Sequence, residues 1–537
     1  MKNLGQFDYV IVGAGSAGCV LANRLSENPA NKVALLEAGG KDNYIWIHIP
    51  VGYLFCMGNP RTDWGFATDP SPGLNGRSLG YPRGRVLGGC SSINGMIYMR
   101  GQARDYDHWR QLGNSGWGWD DILPYFLKSE DQAAMPADDM HNAGGEWRIE
   151  KQRLSWEILD AFRDAAEQAG IPKTNDFNRG NNEGCDYFQV NQRRGRRWST
   201  SKGFLKPAMN RPNLRVFTQA QVKKLRIEDG RATGLELRHG PDDAVIDAAG
   251  EVILSAGSIG SPQILQLSGV GSGVLLKEHD IEPLHILPGV GENLQDHLQI
   301  RCAYKVKGIA TLNERANSLI GKIGIGLEYA FLRRGPMSMS PSQLGAFVKS
   351  DPALETPNLE YHVQPLTLEK FGEPLHPFPA FTASVCNLRP ESRGHVKIKT
   401  PDPFAAPSIQ PNYLSTHGDR LVAAESIRLT RRIVAQPALE KYQPEEFMPE
   451  ENPQTDDELA KAAGDVGTTI FHPIGTCKMG SDDMAVVDDR LRVRGISGLR
   501  VVDASIMPTI TSGNTNSPVI MIAEKASDMI LQDRKSG

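Results

Sequence analysis

The amino-acid sequence predicts an α/β protein with two domains: a parallel-sheet, dinucleotide-binding domain built from separated stretches of chain, and an inserted α+β domain that caps it. Three observations carry this expectation. The chain has 537 residues, three to four times the ~150-residue domain prior. An apolar run, Asp8 to Val12, ends abruptly at Gly13-Ala14-Gly15-Ser16-Ala17-Gly18. Glycine-rich turns recur near residue 257 and toward the carboxyl end, so the residues serving one ligand are scattered and the first domain is discontinuous.

Composition narrows the function. Hydrophobic residues at 40% and charged residues at 23%, with 55 Gly and 35 Pro spread along the length, exclude disorder and low complexity. Fifty-nine Lys and Arg against 63 Asp and Glu give a net charge of −4, too balanced for a nucleic-acid partner, which leaves a small molecule. Seven cysteines without a C-x-x-C pair fit a reducing compartment. The start of the chain has no apolar signal region, and no run of ~18 apolar residues occurs, so a soluble cytoplasmic protein is expected, with peripheral membrane contact left open.

The first element is a βαβ unit. Asp8 to Val12 reads as a buried parallel strand, Cys19 to Leu25 as helix, and Lys32 to Leu36 as a second strand ending at Glu37 and Ala38. Gly13 permits the tight turn, Gly15 removes the Cβ that would block a pyrophosphate, and Gly18 lets helix and strand approach. Ser16 and Ala17 open the helix whose positive end meets the phosphates. Glu37 accepts hydrogen bonds from an adenosine ribose and repels a 2′-phosphate, which disfavours NADP. The unit is Rossmann-like, and FAD and NAD both remain open here.

The second element runs Gly84-Arg85-Val86-Leu87-Gly88-Gly89-Cys90-Ser91-Ser92-Ile93-Asn94-Gly95-Met96. A Gly-Gly pair followed by small hydroxyl residues and Asn lets backbone approach a flat ring and bond its polar edge. The third, near the end, combines Phe471-His472-Pro473-Ile474-Gly475-Thr476 with Ser512-Gly513-Asn514-Thr515-Asn516-Ser517-Pro518 and a helical pattern from Val519 to Leu531. An imidazole with an ordinary pKa near 6.5 suits proton transfer at neutral pH. A helix starting beside it could stabilise negative charge.

The second element resembles the first signature of the glucose-methanol-choline (GMC) flavoprotein oxidoreductases. Gly257 to Gly271 resembles the second, and Gly289-Val290-Gly291-Glu292-Asn293-Leu294-Gln295-Asp296-His297 and the His472 stretch also match, most closely the bacterial choline-dehydrogenase-like alcohol dehydrogenases. The resemblance implies FAD, with Val86, Gly88, Asn94, Gly95, Met96 and Ile97 around the flavin. It also implies Val222 at the adenine, Asp503 and Ala504 near the pyrophosphate, Thr515 and Asn516 near the flavin, and His472 with Asn514 as the catalytic pair. Some members join the flavin covalently to a His where this chain has Ile93, so FAD is expected to be noncovalent. Many carry a second His where this chain has Asn514, and an amide can orient an alkoxide but cannot trade protons with it.

The implied reaction oxidises a primary or secondary alcohol to the aldehyde or ketone. His472 takes the hydroxyl proton, hydride passes to flavin N5, and electrons leave to a quinone-like or dye acceptor, with oxygen as the alternative. A cyanohydrin-type lyase and an NAD-dependent or non-catalytic nucleotide-binding protein are the competing readings. His297 is read as structural, the basic run Arg193-Arg194-Gly195-Arg196-Arg197 as a solvated loop, and no His spacing makes a metal site. The segments 1–155, 207–300 and 468–537 are assigned to the FAD-binding domain. Segments 156–206 and 301–467 are assigned to the cap, which is expected to include the strand His395 to Lys399.

Overall fold

The computed structural model describes residues 1–369 and 372–536. Its first sheet holds five parallel strands in the order Leu214–Phe217, Val33–Leu36, Lys2–Val12, Asp242–Leu254, Leu499–Val501. In chain order this is 3-2-1-4-5, the doubly wound arrangement, whose ligand site lies beyond the carboxyl ends of the strands. Val10, Ile11, Val12 and Val33 to Leu36 are buried, because helices cover both faces and no polar alternation survives. The helices Ser16–Leu25 and Asn516–Ser536, from opposite ends of the chain, pack side by side.

The strand Asp242–Leu254 serves two ladders. Its last three residues pair with Leu499–Val501, and its first half pairs antiparallel with Arg231–His239, which turns back on Ala220–Glu228. Asp229 and Gly230 at that turn both have positive φ, 49° and 71°, as a type I′ hairpin requires. The first strand starts at Lys2 rather than Asp8, because Lys2 and Asn3 pair with Ala244 and Val245; polar Lys2, Asn3 and Gln6 hid that extension from an apolar-run reading.

The second sheet is antiparallel: Glu445–Met448, Leu298–Lys305, Ala380–Asn387, Leu359–Gln364, Leu344–Val348, Gly184–Tyr187, with Gly467–Thr469 beside the start of Leu298–Lys305. Its strands alternate strictly. Leu359, Tyr361 and Val363, with Phe381, Ala383 and Val385, enter one apolar core against the helices Glu157–Gln168, His417–Val434 and Asp456–Val466. The intervening Gln299, Arg301, His362, Gln364 and Ser384 face a cavity on the other side.

The strand expected at His395 to Lys399 does not join this sheet. His395–Lys397 pairs only with Ser408–Gln410, and the pair is held to the helix Gly257–Leu267 of the first domain: Gln266 Nε2 donates to Val396 O at 3.0 Å, and Ile398 N donates to Gln266 Oε1 at 2.9 Å. Alternation alone identified the strand but not the sheet that owns it. None of the described helices is long and apolar enough to cross a membrane.

Candidate active site

A cavity of about 1950 Å³ opens between the two sheets. It is large enough for a dinucleotide with a substrate beyond it, since a drug-sized ligand needs roughly 300–1,000 Å³. Its floor is the first glycine turn. A Cβ on Gly13, whose φ is +98°, would meet Ser255 O at 2.5 Å, and one on Gly18 would meet Gly13 O at 1.9 Å. A Cβ on Gly15 would meet nothing nearer than Ser255 O at 3.9 Å; the missing atom there leaves room toward the cavity. Glu37 is 5% exposed and accepts from Ala14 N at 3.0 Å and Gly39 N at 2.8 Å. Burial pushes its carboxyl up to about 7 against those bonds and the Arg85 charge.

The loop after Gly84 presses on this turn, because a Cβ on Gly89 would come within 2.7 Å of Gly15 Cα. Met96 holds a left-handed φ of 63°. Its N–H donates to Asn94 Oδ1 at 3.1 Å, and Arg197 Nη1 donates to the same oxygen at 2.9 Å, which leaves the Asn94 amide N–H groups for a ligand. Arg197 is fully buried, and burial pulls its pKa down to about 10. Only Arg193, Arg194 and Arg196 of the basic run reach solvent; the reading of the whole run as a solvated loop is corrected, because the hairpin Gln192–Arg193/Arg196–Arg197 turns its last residue inward.

Beside the glycine turn the helix Asn516–Ser536 begins, and Asn514, Thr515 and Asn516 line the cavity. Ser16 Oγ donates to Asn516 Oδ1 at 2.6 Å. Asn514 Oδ1 and Asn516 Nδ2 are buried without a partner, a costly state unless a bound group completes them. Asp503 Oδ2 accepts from Gly257 N at 2.9 Å and Ser261 Oγ at 2.6 Å, which fixes the turn carrying Ala504. Ser16, Ala17, Ala38, Gly95, Ile97 and Val222 also stand in the wall. Gly18, Val86 and Gly88, expected at the cofactor, lie behind it: Val86 packs with Ile47, Cys56 and Ile93, and Gly88 N donates to Ala14 O at 2.8 Å. The cradle, the helix start and the orphaned amides fit a dinucleotide, and Asn94 and Asn514 line the same cavity.

His472, 7% exposed, lines this cavity as well. Asp296 fixes it: Oδ1 accepts His472 N at 2.7 Å and His297 N at 2.9 Å, while Oδ2 accepts Thr469 Oγ1 at 2.6 Å, Tyr81 OH at 2.8 Å and the Tyr413 hydroxyl. Phe471 is forced to a φ of 68°, unusual for a bulky residue. It is held there by Thr469 Oγ1 accepting from its N–H at 2.7 Å and Arg83 Nη2 donating to its carbonyl at 2.8 Å. Backbone strain of this kind concentrates where a side chain must be aimed.

The proton positions follow from one carbonyl. His297 Nε2 lies 3.2 Å from Leu388 O, which can only accept, so that nitrogen carries the hydrogen. His297 Nδ1 then offers a lone pair, and the proton in its 3.1 Å contact with His472 Nδ1 belongs to His472. His472 Nε2 is left unprotonated, 3.1 Å from the Asn514 amide nitrogen. Burial first, then the charges of His297, His362 and Arg83, hold the His472 pKa well below 6.5. His297, read from sequence as structural, touches the central imidazole. His362 was missed; on Glu360-Tyr361-His362-Val363-Gln364 the polar residues take alternate positions, and that pattern could have assigned them to a wetted face.

A family model described as GMC oxidoreductase matches residues 7–299, and its carboxy-terminal counterpart matches residues 390–523. An alcohol dehydrogenase [acceptor] from Pseudomonas putida is 41% identical over 98% of this chain and 96% of its own length. An oxygen-dependent choline dehydrogenase from Vibrio vulnificus is 42% identical over 98% and 94%. Among solved structures, pyridoxine 4-oxidase from Mesorbium loti superposes with a TM-score of 0.89 at 31% identity over 97% of this chain and 98% of that one. Formate oxidase from Aspergillus oryzae RIB40 superposes with a TM-score of 0.91 at 26% identity over the whole of both chains.

Proposed function

Since the chain belongs to the GMC oxidoreductase family, we propose that it oxidises the CH–OH group of an alcohol with His472 Nε2 as the base. FAD, when bound, supplies the hydride acceptor for this reaction. The glycine cradle at Gly13 and Gly15, Glu37 and the helix starts at Ser16 and Asn516 would hold it, and Ile93 offers no atom for a covalent link to it. The observation that carries the reading is a buried imidazole whose Nε2 lies 3.1 Å from the Asn514 amide nitrogen in the wall of a dinucleotide-sized cavity.

The chain's own part is the proton and the geometry. An alcohol hydroxyl between His472 and Asn514 donates to Nε2 and accepts from the Asn514 amide. The same two contacts aim the carbinol carbon and strengthen as charge grows on oxygen. The imidazolium formed keeps its Nδ1–H bonded to His297, and Asp296 holds both rings through their backbone. Asn514 orients and cannot take the proton, so His472 acts alone as base. The walls Tyr81, Met96, Ile97 and Ile470 restrict water at the reacting carbon.

Electrons then leave to a quinone-like or dye acceptor, a reading supported by the acceptor-linked relative. Anaerobic mixing of the yellow holoenzyme with a panel of alcohols should bleach the flavin. Dye reduction measured beside oxygen uptake then identifies the acceptor. A flavin that stays oxidised with every alcohol would refute the reaction.

A further inference from the structure

The helix Leu319–Leu332 turns the usual amphipathic pattern inside out. Its buried residues are Ile325 and Tyr329, one turn apart. On the opposite side Ile320, Ile323, Leu327 and Phe331 recur at helical spacing and face solvent, Ile320 being 86% and Phe331 81% exposed. A helix on a water-facing surface would be polar there. Leu319, also more than half exposed, borders the stripe at its start, and a contiguous apolar surface of this kind marks an interaction site.

The charges around it indicate the partner. Tyr329 OH donates to Gly195 O at 2.9 Å, which fastens the helix to the hairpin that exposes Arg193, Arg194 and Arg196. Arg153 Nε donates to Arg333 O at 2.9 Å. Among the described residues none of these five guanidinium groups forms an ion pair within 4.0 Å. The acid on the helix, Glu328, lies 3.5 Å from Arg315 and 3.4 Å from Arg334. Cations without an acidic partner are thus gathered at one end of an apolar stripe in a chain whose net charge is −4.

Immediately past the helix, Pro336–Ser338 packs against Pro50–Gly52. Beyond the buried Tyr53, Leu54 and Phe55 are also exposed apolar side chains, and Leu54 stands in the cavity wall.

We propose that this helix lies in the surface of an anionic phospholipid bilayer, its Ile320–Phe331 stripe among the acyl chains and the arginines on the headgroups. The contact between Pro336–Ser338 and Pro50–Gly52 joins that surface to the edge of the cavity at Leu54, so apolar alcohols or acceptors dissolved in the bilayer reach it without crossing bulk water.

Flotation of the FAD-loaded enzyme with phosphatidylglycerol/phosphatidylcholine vesicles tests the proposal. The wild type should float with these vesicles, and much less with phosphatidylcholine alone or at high salt. The double variant Ile320→Asp with Phe331→Asp should lower the bound fraction by about tenfold or more. Arg194→Gln and Arg196→Gln should lower it by about fivefold each. All four substitutions lie on exposed side chains, so flavin content and dye-linked turnover of a water-soluble alcohol should stay at wild-type levels. Failure of the wild type to float would overturn the proposal, as would flotation that the apolar variant leaves unchanged. A wild-type dimer that the apolar variant converts to monomer, without vesicle binding, would assign the stripe to a second copy instead.

Discussion

Replacing His297 tests the proton arrangement at the candidate site most directly. His297→Leu removes the acceptor from His472 Nδ1–H and the donor from Leu388 O, whose contacts are 3.1 and 3.2 Å. Each group left buried without a partner costs about 1–3 kcal/mol. The imidazole escapes that cost by moving its proton to Nε2 or by rotating, and either change removes the lone pair from the alcohol. At about 1.4 kcal/mol per decade, the expected loss is roughly 10- to 100-fold in the limiting rate of flavin reduction. His297→Gln retains both bonds, since its amide oxygen can accept from His472 and its nitrogen can donate to Leu388 O, and should recover most of the rate. The assay is anaerobic stopped-flow reduction at saturating alcohol, with flavin content and melting temperature measured beside it. A Leu variant that keeps its flavin and reduces it at the wild-type rate would refute the reasoning, as would a Gln variant as slow as Leu.

His472→Ala should slow flavin reduction by roughly 10²- to 10⁴-fold with flavin retained. Because the folded His472 pKa lies well below 6.5, the rate of flavin reduction should stay level as pH falls through 6.5 and decline only at lower pH, where the base is protonated; a profile breaking at or above 6.5 contradicts the burial argument. Gly15→Val should give a folded but colourless protein, since its side chain has space only toward the cavity. Gly18→Ala meets a carbonyl at 1.9 Å and should lower the melting temperature itself, so equal effects from the two would refute the assigned roles. His141 lies between Glu130 at 3.0 Å and Asp176 at 2.8 Å. Burial alone would depress its pKa, but the two carboxylates outweigh it and push the value up to about 9. Its stabilisation is therefore full below 6.5 and lost as pH rises through about 9, and His141→Leu should cost about 3–5 kcal/mol at neutral pH in denaturant unfolding.

What the sequence revealed divides along physical lines. The βαβ unit was legible because strand, glycine turn and acid lie in one short stretch whose constraints are local. His472 and Asn514 were legible through the motifs around them. Asp296 sat inside a recognised stretch, but its five hydrogen bonds come from residues between Tyr81 and His472 that only the fold brings together. His297 and His362 have no local pattern of chemistry; a buried imidazole acquires its role from what faces it across a sheet. The strand His395–Lys397 was legible as a strand while its partner was not, since the side-chain period of two specifies exposure and leaves the pairing to tertiary packing.

The parallel sheet leaves its last place for Leu499–Val501, and the cavity wall is completed by a helix starting at Asn516. During synthesis the glycine turn at Gly13 therefore emerges with about five hundred residues still to come before the pocket it floors has a roof. The nascent chain must carry an unfinished sheet edge until Leu499–Val501 has been made, an aggregation hazard that local folding of the antiparallel layer does not relieve. Cofactor capture accordingly waits on the segment around Asn516, and starvation for the cofactor should show itself as chains whose glycine turn and late helix stay unjoined.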